Sequence, residues 1–149
     1  MIVKELLGLS ICLLVAGMCL IWIASHSSRR GMFLIRKKRG NEKNLYMRPS
    51  KCPIGEMASA QIFVSMRKLL RELRAEGCSL IFFESHMVRK ENLEKFIKFL
   101  DAEGMMCEKI QFRKTLLIHS IHIKLAMRIC HKKRINVHPE SARISIRLQ

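Results

Sequence analysis

Side chains able to serve as acids, bases, nucleophiles or metal ligands are sparse in this 149-residue chain, and their spacing is poor for chemistry. Asp101 is the only aspartate, which argues against a carboxylate-rich metal centre or a paired-carboxylate glycosidase site. Glu84, Ser85 and His86 follow a predicted strand, a position where α/β folds often place their sites. A serine and a histidine adjacent in sequence rarely achieve nucleophile-base geometry, however, and Ser85 is equally suited to cap the next helix. His119, His122, Cys130 and His131 could be drawn together as metal ligands, but their spacing matches no standard zinc set. There is no phosphate-binding glycine loop, dinucleotide fingerprint, HExxH or GxSxG elbow. The expectation is a chain with no catalytic residues, no metal and no cofactor, and thus not an enzyme.

Charge is the stronger signal. Lys and Arg outnumber Asp and Glu to give +16, distributed unevenly. Residues 29–51 carry +8, residues 52–108 carry −1 and residues 109–149 carry +9. Two basic blocks flanking a neutral middle imply a surface placed for an anionic partner rather than uniform solubilising charge. The six cysteines are widely scattered with no CxxC pair, so they read as reduced thiols, mostly buried, rather than a disulfide framework.

The first basic block follows an uncharged run over residues 6–25. Twenty apolar residues are about what a helix needs to cross a ~30 Å hydrocarbon core. The run is longer than the apolar region of a cleaved leader, so it predicts a retained single-pass anchor over residues 1–28. Arg29, Arg30, Arg36, Lys37, Lys38 and Arg39 lie on one side of it and Trp22 near that end. The positive-inside rule and the interfacial preference of indole then place the N-terminus outside and the rest in the cytoplasm, as suits a bacterial inner membrane. Gly8, Cys12 and Ala16 recur every four residues, and a small-residue face of that kind would allow a homo-oligomer.

Beyond a basic connection over residues 29–53, residues 54–149 predict one basic domain. Ile62, Phe63, Met66, Leu69, Leu70 and Leu73 follow a 3.6-residue period and predict a helix over 56–76, ended by Gly77. CSLIFF, residues 78–83, reads as a buried strand. Leu93, Phe96, Ile97 and Leu100 predict a second helix over 88–103, ended by Gly104 and followed by a strand over 106–112. Ala-Glu-Gly thus occurs twice, each time between a helix and a strand, which suits successive crossovers onto one sheet.

Ile121, Ile123, Leu125, Met127 and Ile129 alternate with polar residues and predict a strand, with a helix over 114–132 as the competing assignment. Residues 143–148 alternate again, and 135–137 could pair with them. The expected fold is α+β, a two-layer α/β sandwich with a mixed sheet, preceded by the transmembrane helix.

On this arrangement Lys109, Arg113, Lys124, Arg128, Arg143 and Arg147 gather on the sheet face away from the helices. The expected function is a single-pass membrane-anchored interaction module, a subunit or adaptor of a membrane-associated protein complex. The alternative is a membrane-tethered, non-specific binder of nucleic acid or anionic lipid through the basic face. Expected partners are therefore membrane lipids and another protein, then nucleic acid or anionic lipid. The strands' polar positions offer no aromatic platform, which disfavours sequence-specific reading of a single strand.

Overall fold

Two crossovers, two antiparallel turns and one antiparallel connection through a helix account for the whole sheet. The computed structural model describes residues 2–25 and 27–148, with a mixed α+β fold of six strands in one sheet and four helices. After helix α1 (Ile2–Ser25), strands β1 (Ser27–Arg30), β2 (Phe33–Lys37) and β3 (Glu42–Met47) form an antiparallel meander. A 3-10 turn at Pro49–Lys51 leads to α2 (Ala58–Ala75), which returns the chain to β4 (Leu80–Ser85), parallel to β3. Helix α3 (Leu93–Ala102) then leads to β5 (Met106–Lys114), and α4 (Leu117–His131) to β6 (Glu140–Arg147). β6 inserts between β4 and β5, antiparallel to both, giving the order β1-β2-β3-β4-β6-β5.

The repeated Ala-Glu-Gly marks two identical helix stops. Gly77 and Gly104 have φ of +78° and +65°, a left-handed conformation that glycine adopts without the usual side-chain clash. Cys78 N–H donates to Leu73 O at 2.9 Å and Gly77 N–H to Arg74 O at 3.0 Å. Met105 repeats the pattern on Leu100 at 3.0 Å, and Gly104 on Asp101 at 2.9 Å. These are the paired bonds of a Schellman ending, and the buried Cys78 and Met105 supply its apolar contact.

Strand alternation decides which face is buried. Ile35, Leu45, Phe83, Ile144 and Ile110 form one row across five strands. Met66, Leu69, Leu70 and Leu73 of α2 and Phe96 and Leu100 of α3 close the same core over that face. A bulge between Cys107 and Lys109 keeps Ile110 and Phe112 on the core side.

Several expectations change. The run expected as a connection, residues 29–53, supplies three strands of the sheet. The stretch with period-two alternation is a helix, α4, because residues 114–138 contain no Gly or Pro to bound a short strand. Of the alternating residues only Met127 is buried, while Ile121, Leu125 and Ile129 are exposed. Residues 135–137 form no strand.

Among the described residues, no helix is long and apolar enough to cross a membrane. The expected transmembrane anchor is corrected accordingly. The single-pass topology, the outside N-terminus and the inner-membrane and cytoplasmic placement all derived from it and are corrected with it.

The helix stops are open to test. Apart from the adjoining residues, no heavy atom lies within 4 Å of a Cβ built at either glycine, so Gly77→Ala and Gly104→Ala should each cost only the conformational penalty. About 1–2 kcal/mol is expected for each, read from urea denaturation midpoints. Unchanged midpoints would show that the helices do not end there.

Candidate anion-binding face

The sheet face opposite α2 and α3 is defined by register. One row runs Arg29, Leu34, Tyr46, Glu84, Arg143, Gln111, and the next runs Ser27, Arg36, Asn44, Phe82, Ser145, Lys109. Glu42, Leu80, Arg147 and Met106 lie beyond one end of these rows and Arg113 beyond the other. Every residue of the two rows is half-buried or exposed, so neither packed helix covers this face.

Cations and rings are paired on it. The Lys38 ammonium lies 3.4 Å from the centroid of Phe82, and the Arg143 guanidinium is 5.6 Å from the same ring. The Arg36 guanidinium is 5.7 Å from the Tyr46 ring. These are cation–π distances, at which the negative ring face holds a cation without neutralising it.

Acidic side chains are mostly engaged elsewhere. On the helix side, Glu76 meets Arg30 at 2.5 Å and Lys43 at 2.9 Å. Glu103 lies between Arg67 at 2.6 Å and Arg71 at 2.8 Å. The Lys43 ammonium, followed by Arg30, holds the Glu76 carboxyl below the usual range. On the open face, Glu42 meets Lys38 at 3.4 Å, and Glu108 at the bulge meets Arg147. Among the described residues, no carboxylate lies within ion-pair distance of Arg36, Lys109, Arg113 or Arg143. Arg113 instead donates to Gln111 Oε1 at 3.0 Å.

Of the six expected face residues, Lys109, Arg113, Arg143 and Arg147 come together. Lys124 and Arg128 do not, because they belong to α4 rather than to a strand. Of the residues expected at a membrane interface, Arg29, Arg36 and Lys38 join the open face. Arg30 turns to the helix side, Lys37 and Arg39 are exposed near the end of β2, and Trp22 is exposed on α1.

Tyr46 and Phe82 were missed by sequence reasoning. Phe82 sits inside an apolar run that reads as buried on both faces, and Tyr46 lies in what reads as a connection. The signal that could have found Phe82 is the alternation Leu80, Phe82, Glu84 against Ile81, Phe83, Ser85.

The other candidate residues have local partners of their own. Ser85 is buried in β4, and its Oγ accepts the Met87 N–H at 3.1 Å, fixing a turn rather than capping α3. Asn92 precedes α3; its Oδ1 accepts the Arg89 N–H at 2.7 Å and its Nδ2 donates to Met87 O at 2.9 Å. His131 Nε2 is 3.1 Å from Pro49 O. Among the described residues, no group of His, Cys, Asp and Glu could hold a metal ion. Burial pulls the His86 pKa below its ordinary 6.5, and the positive charges of Arg89, His119 and His138 lower it further.

No known protein family matches the chain, and no curated protein matches it. Among solved structures it is similar to an acetyltransferase from Bacillus subtilis, crystallised in complex with CoA. That match has 9% identity over 83% of this chain and 75% of the other, with a TM-score of 0.36. The similar structure is an enzyme, and the expectation that this chain is not one is withdrawn without an activity being assigned in its place. At that TM-score the likeness carries no argument about what this chain binds or does.

His86 gives the fold a pH signature. With its folded pKa lowered, the folded chain binds fewer protons than the unfolded chain. Its contribution is complete above the unfolded value and is lost as pH falls through that value toward the folded one. The urea midpoint should therefore fall between about pH 7.5 and about pH 5.5, and His86→Gln should flatten that fall. Identical pH profiles for the two proteins would show that His86 is not the titrating group.

Proposed function

We propose that the chain is an interaction module that engages a polyanionic partner through the open face of its sheet. The carrying observation is the charge arrangement there. Among the described residues, Arg36, Lys109, Arg113 and Arg143 have no carboxylate within ion-pair distance, while Glu76 and Glu103 are held by cations on the helix side. Cations on a solvated sheet face contribute little to folding. Gathered on one face, they raise the local concentration of an anionic partner and speed its association. Phosphate- and carboxylate-bearing chains share this chemistry. The reading keeps the interaction-module part of the sequence expectation and leaves its anchor aside.

The test compares two variants of equal charge. One combines Arg36→Gln, Lys109→Gln, Arg113→Gln and Arg143→Gln. The other combines Lys68→Gln, Lys95→Gln, Lys132→Gln and Lys133→Gln, which lie on the helices and the segment after α4. Binding to fluorescein-labelled oligothymidylate and polyglutamate is measured by anisotropy across a salt series. The face variant should lose tenfold or more in affinity, with a shallower slope of log affinity against log salt, by roughly 0.7 for each phosphate contact removed. Equal losses in both variants would show that only net charge matters and would overturn the proposal.

A further inference from the structure

We infer that the polyanion served by this face is single-stranded nucleic acid, with Tyr46 and Phe82 as stacking platforms for its bases. The inference rests on the polyanion reading above and adds the rings to it. Charge alone would hold any acidic chain. Two aromatic rings side by side on the charged face offer something only unpaired bases use well, because every base has a π-face to lay on a ring.

Register places the rings for this. Phe82 pairs across from Asn44, and Tyr46 from Glu84, so the two rings stand on adjacent parallel strands and two residues apart along them. With ~4.8 Å between strands and ~3.3 Å rise per residue, their Cα atoms are about 8 Å apart. Stacked bases in a duplex advance ~3.4 Å along each strand and present their edges, not their faces, to a protein. A separation more than twice as large suits successive bases splayed from a single strand.

The cations complete the arrangement. Arg36 flanks Tyr46, and Lys38 and Arg143 flank Phe82. Lys109 and Arg113 extend the positive charge along β5, beyond β6. In the free chain the Lys38 ammonium lies over the Phe82 ring at 3.4 Å. Its four-carbon stem can swing aside as a base stacks, carrying the charge to the adjoining phosphate. An acidic protein segment would meet the same cations with carboxylates and leave both ring faces unused. A duplex would meet them with phosphates and keep its base faces closed.

The experiment uses the full chain and four labelled probes of matched length: oligothymidylate, an abasic oligodeoxynucleotide, a DNA duplex and polyglutamate. Oligothymidylate should bind at least tenfold more tightly than the abasic strand, which carries the same phosphates without bases. The combined Tyr46→Leu, Phe82→Leu variant should lose roughly thirtyfold or more on oligothymidylate and little on the abasic strand. Circular dichroism and urea midpoints establish that this variant folds, and the wild-type ratio of thymidylate to abasic binding needs no variant at all. Equal wild-type affinity for the two strands would overturn the stacking inference, as would tighter binding of the duplex or polyglutamate. If the four-cation variant still weakens binding in those cases, the polyanion reading survives. If it does not, both fall.

Discussion

Burial of one sheet face under α2 and α3 is the packing on which every other feature depends. Phe83 stacks on Phe96 with ring centroids 5.9 Å apart, and Phe63 meets Phe99 at 4.9 Å, tying the two helices to β4 and to each other. Ile81, Ile144, Ile146, Leu45, Leu70, Leu73 and Leu100 are 0% exposed. Burying each such side chain stabilises the fold by about 1.5–3 kcal/mol relative to leaving it in water. Because both helices use the same face, the other side of the sheet has no helix of this pair to cover it. Residues directed there must tolerate water, and many are charged.

Electrostatics follows that division. The Glu103 side chain is only 6% exposed, and a carboxylate so enclosed is stable only with partners close at hand. Arg67 and Arg71 of α2 supply them and fasten the end of α3 to α2. Arg30 and Lys43 from the sheet pair with Glu76 at the end of α2. On the open face Glu42 and Glu108 pair with Lys38 and Arg147 and Glu84 stands opposite Arg143 in register, while Tyr46 and Phe82 hold Arg36, Lys38 and Arg143 by ring contact.

Much of the domain's centre was legible because its signals are local. The helical period of residues 62–73, the glycines after each helix and the alternation of residues 143–148 each reflect geometry within a few residues. The same local reading placed Lys109 and Arg113 on one face of β5 and Arg143 and Arg147 on one face of β6, because alternation within each strand assigns the face. It failed at 117–131, where branched residues at every second position satisfy a strand and a helix alike. It failed again at 27–47, where two short charged strands and a tyrosine strand have no apolar face readable without their neighbours.

The sequence by itself determined that the domain is α+β, that α2 and α3 end at Gly77 and Gly104, and that two basic blocks bracket a neutral middle. Each of these is set by backbone conformation or composition over a short stretch. Only the tertiary structure decided that β1, β2 and β3 extend the sheet, that β6 inserts between β4 and β5, and that Arg36 and Lys38 from one basic block share a face with Arg143 from the other. Those outcomes depend on strand pairing between residues as far apart in sequence as Leu80 and Arg147, with partners chosen by packing, and no local pattern records that choice.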